Sequence, residues 1–222
     1  MSIAAPNTLF KPALKFHGVF FVIAIPLALS VPANLVGWTV LLLALAYNLA
    51  LPLVGARLQL AEWPALWRFL LPLSCCLPFA DWMLVNQGTL HFPDHGIARL
   101  GGAVPIYFCG LWIMLLWQIC WFAPMTPKPY LSAATLGLAG FLIWEWAARP
   151  MQLWEAVGVT QIAGFALYPL LPEMLLSVAT LWLWQQTKTA SWFTQLAAAI
   201  ALAIFYAGAL SLALLAESQL SA

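Results

Sequence analysis

Three carboxylic acids stand inside long apolar runs of this chain: Asp81, Glu145 and Glu173. A charge at the centre of a membrane helix costs roughly 2.5–3.5 kcal/mol on insertion scales. Acids that persist there are paired, line a cavity or take part in chemistry. A carboxyl held away from water keeps a proton that it can give up, and a neighbouring carboxylate can take one back. Asp81, Glu145 and Glu173 are therefore the candidate acid–base residues. Each also has a structural alternative. Asp81 would cap a helix end or pair with Arg99, and Glu145 would pair with Arg149, one turn on. Glu173 follows Tyr168-Pro169-Leu170-Leu171-Pro172. Two prolines three residues apart open the backbone ladder and predict a kink, with a freed carbonyl as partner for the acid.

Aromatic residues are the second chemical resource. The chain has 13 Trp and 5 Tyr. Trp82, Trp112, Trp117, Trp144, Trp146, Trp154, Trp182 and Trp184 serve as interfacial belts, as packing between helices, or as walls that stabilise a cation by cation–π attraction. A polar stretch at 86–103 contains His91, Asp94, His95 and Arg99. His91 and His95 have i,i+4 spacing, but Pro93 between them spoils a helical metal face. Solvated loop polarity is the expected role, and no metal site is assigned. Cys75, Cys76, Cys109 and Cys120 form no CxxC pair and read as small apolar residues.

Positioning these groups falls to membrane helices. The composition is 64% hydrophobic and only 7% charged, against about 25% charged in soluble domains. Seven acids and eight bases cannot coat a soluble particle of 222 residues. A net charge of +1 offers no basic face for nucleic acid. The apolar runs predict an all-α, polytopic helical bundle in one domain, with seven spans at about 14–31, 33–54, 66–85, 104–122, 130–148, 157–184 and 192–215. Pro32 separates the first two and suits the first turn of a new helix. Lys11 and Lys15 precede the first run, yet no small-x-small cleavage site leads into a soluble domain, so that run is read as a retained span.

Orientation follows from the bases. With the N-terminus cytoplasmic, Lys11, Lys15, Arg57, Arg68, Lys128 and Lys188 fall inside and only Arg99 and Arg149 outside, as the positive-inside rule predicts. The C-terminus is then outside. Asp81 and Glu145 come near the outer ends of their spans, and Glu173 comes near mid-depth. The expected site is a pocket toward the outer leaflet, roofed by 86–103. A retinal protein is disfavoured because the last span has no Lys for a Schiff base, and a haem protein because no His pair faces across the bundle.

Asp81-Trp82, Gly88, Leu90, Phe92, Gly101-Gly102-Ala103-Val104-Pro105 and Gly110-Leu111-Trp112 together resemble a stretch of carotenoid hydratase-type membrane proteins. The run from Tyr168 to Glu173 is similar to the proline–acid motif of small membrane lycopene cyclases, with Met174 where a second acid would stand. The chain also resembles an uncharacterised bacterial membrane-protein family with a similar segment. The resemblance covers spans 3, 4 and 6. It implies a multi-pass enzyme of the bacterial inner membrane, acting without a cofactor on an isoprenoid or carotenoid-type lipid. Glu173 or Asp81 would protonate a double bond, Glu145 would be the partner, and Trp82, Trp112, Trp144, Tyr168, His91 and Arg99 would bind substrate. A non-catalytic membrane subunit or assembly factor, and a proton-coupled transporter, are the alternatives. The substrate's identity and the oligomeric state are left open.

Overall fold

A computed structural model describes residues 6–220. In chain order the elements are α1 (Pro6–Ser30), α2 (Ala33–Arg57), α3 (Glu62–Cys76), α4 (Pro78–Asn86), β1 (Leu90–His91), β2 (Arg99–Leu100), β3 (Val104–Pro105), α5 (Phe108–Phe122), α6 (Pro129–Met151), β4 (Glu155–Ala156), β5 (Gln161–Ile162), β6 (Phe165–Ala166), α7 (Leu170–Thr187) and α8 (Trp192–Leu220). The fold is nearly all helical, and the strands are two-residue pairs in the loops. Six helical segments among the described residues are long and apolar enough to cross a membrane: Leu9–Ser30, Ala33–Arg57, Glu62–Asn86, Phe108–Met125, Pro129–Met151 and Trp192–Gln219. α7 is a further helix of 18 residues, packed between α6 and α8.

Helix boundaries follow the prolines. Pro32, extended at ψ 150°, precedes α2 and ends the reach of α1. Within α1, Pro26 does not interrupt the helix, which begins earlier than the first apolar run predicts. Pro78 divides α3 from α4, because proline has no N–H to continue the ladder. Two predicted spans start later than their hydropathy indicates. The run at 104–122 becomes helical only at Phe108, since Val104 and Pro105 pair with Leu100 and Arg99. The run at 157–184 is helical only from Leu170. Its first part holds Gly158 and Gly164 at positive φ and closes the β5–β6 hairpin. No kink forms at the Tyr168–Glu173 run: Pro169 caps α7 and Pro172 sits in its first turn, where a missing N–H costs little.

α5 is the central helix. It is apolar on all sides and packs on α2, α3, α6 and α7. Large side chains such as Val22, Leu42, Leu49, Trp146, Phe193 and Leu212 face outward, as expected for a surface solvated by lipid rather than water. Much of the tryptophan is internal. Trp117 stacks on Trp121 at 5.2 Å and meets Trp63 edge-on at 5.0 Å. His17 stacks on Trp117 and exchanges a 2.8 Å hydrogen bond with the Tyr47 hydroxyl. Hydroxyls within α7 return to their own helix: Ser177 donates to the Glu173 carbonyl, Thr180 to Leu176 and Thr187 to Leu183. This satisfies them where water is absent.

Candidate acid cavity

Asp81, Glu145 and Glu173 line one cavity of about 100 Å³. Asp81 comes from the first turn of α4, immediately after the Pro78 break. Glu145 comes from the last third of α6. Glu173 comes from the first turn of α7, not from the middle of a span. A close crossing sets α6 against α7: a Cβ on Gly137 would collide with the Ser177 side chain. That crossing lies one turn below Glu173. Glu145 and Asp81 lie near enough to Glu173 for their charges to act on it.

The walls are aromatic. Phe92, Phe108, Trp112, Phe141, Trp144, Trp154, Tyr168 and Tyr206 all face the cavity, and several touch. Trp112 meets Phe141 and Tyr206, each at 5.7 Å, and Phe108 meets Phe92 at 4.9 Å and Trp154 at 5.5 Å. The π-faces supply negative potential without a titratable group.

Polar partners are few. Asp81 is 6% exposed. The Trp112 indole is directed at its carboxyl, yet hydrogen-bond geometry is not reached, and both Asp81 Oδ2 and Trp112 Nε1 are buried without a partner. Glu145 Oε2 accepts a 2.8 Å hydrogen bond from Trp154 Nε1. Among the described residues nothing hydrogen-bonds the Glu173 carboxyl. Burying polar groups without partners costs on the order of 1–3 kcal/mol each.

The roof comes from two loops, the one that follows α4 and the one that follows α6. Leu90 pairs with Ala156 and His91 with Glu155 in the antiparallel β1–β4 ladder, and the Val157 N–H donates to the Thr89 carbonyl. Leu90, Phe92, Ala156 and Ala166 turn apolar side chains into the cavity. His95 is buried beside this roof, its ring nitrogens 3.1 Å from the Ala33 carbonyl and 2.9 Å from the Gln152 carbonyl.

Trp112, Trp144 and Tyr168 thus lie with the three acids, whereas Trp82, His91 and Arg99 do not line the cavity. Trp82 is 38% exposed, stacks with Phe79, and covers Gly101, whose φ of +55° makes the tight turn between β2 and β3. His91 pairs with Glu155 at 2.8 Å on the exposed side of the roof. Arg99 donates to the carbonyls of Phe92, Pro93 and Ala103 and so pins its own loop; it does not pair with Asp81. Arg149 does not pair with Glu145 either. It donates to the Ala163 carbonyl and lies 4.1 Å over the Phe165 ring. Sequence reasoning missed Tyr206. A phenol deep within the largely apolar last span was the available signal.

Residues 78–216 match the family model described as Domain of unknown function (DUF6989). The chain belongs to this family. No curated protein and no solved structure matches it. The DUF6989 segment contains every residue that lines the acid cavity, from Asp81 to Tyr206, while α1 and α2 lie outside it.

Proposed function

We propose that this protein is an integral membrane enzyme that acts on an isoprenoid-type lipid by proton-initiated cyclisation or hydration. The supporting observation is the convergence of three carboxyls inside one aromatic-walled cavity. In this reading Glu173 or Asp81 transfers its proton to one carbon of a substrate double bond. The π-electrons form the new C–H bond, and a carbocation develops on the adjacent carbon. Trp112, Trp144 and Tyr206 face that positive charge with their rings. Attack by a second double bond closes a ring, or attack by water adds a hydroxyl. The carboxylate left behind, or Glu145, then takes the released proton. Cyclisation is therefore a net isomerisation, and hydration a net addition of water. Neither needs an oxidant or reductant.

The proposed setting is a bacterial inner membrane, with α7 as a seventh crossing, the N-terminus cytoplasmic and the C-terminus outside. α7 supports this by its place between α6 and α8. The basic residues support the orientation. Alkaline phosphatase fused after Ala222 should be active, and green fluorescent protein at the same place dark; the reverse pattern overturns the orientation.

Activity is tested by incubating membranes that contain the protein with linear isoprenoids and analysing the products by mass spectrometry. Co-expression in a carotenoid-producing host is a parallel test. A cyclised or hydrated product, absent with Glu173→Gln, is expected. Unchanged substrate in both settings, with folded protein, overturns the proposal.

A further inference from the structure

A second, larger space adjoins the acid cavity. It is a groove of about 370 Å³ between α1, α2, α5 and α6. Leu111, Leu115, Trp144 and Trp154 line both spaces and so form a wall shared between them. The groove is apolar throughout except for Gln118, whose amide is turned back to the Met114 carbonyl of its own helix. Its depth comes from small residues: Ala24 and Ala28 on α1 face Gly140 and Ala147 on α6. Gly140 is set against the shared wall, where a Cβ would approach Leu115 Cδ1 to 2.5 Å.

Volume decides what this space is for. The groove, at about 370 Å³, has nearly four times the volume of the acid cavity, at about 100 Å³. A lipid whose double bond lies among the carboxyls must leave most of its length elsewhere. Above the cavity stands the paired roof, whereas the groove lies between helices and its lining is almost wholly apolar. Asp81 and Trp112 line the acid cavity at the end of this path.

We infer that the α1–α6 groove binds the hydrocarbon tail of a linear isoprenoid chain that enters sideways from the membrane, its reacting end passing the Leu115–Trp144–Trp154 wall to reach the acids. This rests on the function proposed above for the neighbouring cavity and adds the site that selects chain length. Ala147→Trp and Ala24→Phe fill the groove from opposite walls and leave every acid in place.

The test uses the full chain in detergent and a linear twenty-carbon prenyl alcohol carrying a diazirine near its hydrocarbon end. Photolabelling followed by peptide mass spectrometry should place the label on α1 and α6 around Ala24, Ala28 and Ala147. Either filling variant should lower that labelling roughly tenfold, equivalent to about 1.4 kcal/mol. Unlabelled prenyl alcohol should compete, and excess phosphatidylcholine should not. Label spread over lipid-facing positions such as Val22, Leu42 and Phe193, or equal displacement by phosphatidylcholine, overturns the inference. Unimpaired labelling in both variants, each shown by thermal unfolding to be folded, also overturns it. Groove labelling without turnover of any isoprenoid would remove the proposed chemistry and leave the groove. Turnover of long chains by both filled variants would remove the groove and leave the chemistry.

Discussion

Trp154 Nε1 donates a 2.8 Å hydrogen bond to Glu145 Oε2. It fastens the loop after α6 to the body of that helix and gives one cavity acid its only direct donor among the described residues. Trp154→Phe keeps an aromatic ring, though a smaller one, and removes the donor. It should destabilise the folded protein by about 1–3 kcal/mol, seen as a lower thermal midpoint in detergent. Trp154→His, which restores an N–H, should recover part of the loss. Equal midpoints for the wild type and the Phe variant would show that Glu145 has no need of this partner.

Glu173 is the acid whose loss should matter most to proton transfer. Glu173→Gln is nearly isosteric and cannot protonate an alkene. Product formation should fall on the order of 10²–10⁴-fold, with the thermal midpoint unchanged or raised, since the Glu173 side chain is half-buried and has no hydrogen bond to lose among the described residues. Retained turnover would move the donor role to Asp81, which Asp81→Asn then tests by the same assay.

The α6–α7 crossing tolerates no bulk at Gly137. Gly137→Val should force α7 away from α6 and cost about 1–3 kcal/mol through overpacking. The shift would also separate Glu145 from Glu173, so activity should drop in parallel. Ser177→Gly in the same chain should relieve part of both effects. Failure of the second change to rescue would mean that the two helices do not meet there.

His95 joins three pieces of chain by touching the Ala33 and Gln152 carbonyls from the roof loop. His95→Ala removes both contacts and should lower stability by about 1–3 kcal/mol. Limited proteolysis should then cut first between 86 and 107. Cleavage elsewhere, or no change, would deny His95 its fastening role.

The sequence makes the membrane helices legible because apolar length and proline position act locally. Pro32 falls between α1 and α2 as that reading expects. The segment 157–169 is where the reading fails. Val157, Val159, Ile162, Phe165 and Leu167 give it the hydropathy of a span, and average hydropathy does not separate a buried helix from an apolar hairpin. Gly158, Gly164 and Pro169 were the local signs of a loop. At the site, the residue types of Asp81, Glu145 and Glu173 mark them as unusual, but nothing in the sequence says that they meet. Their meeting depends on the Gly137–Ser177 crossing and the Pro78 break, which are tertiary facts. Arg99 and Arg149 were equally unreadable. Asp81 and Glu145 look like their partners, yet both arginines donate to backbone carbonyls instead, and Arg99 approaches Asp94 at 3.9 Å rather than Asp81. Long flexible side chains leave many partners within reach, and spacing alone does not choose among them.

The β1–β4 roof sets apolar side chains from Leu90, Phe92 and Ala156 over the carboxyls. A chamber covered in this way would trade hydrogen isotopes with bulk solvent faster when the two-residue ladder opens. If catalysis is faster than that opening, a cyclised product made in heavy water will carry less than one deuterium per molecule, because the proton released at the end of one turnover starts the next. Pairs of substitutions that loosen the ladder at His91 and Glu155 would then raise the deuterium content without altering the product's structure, making label uptake a clock for the roof.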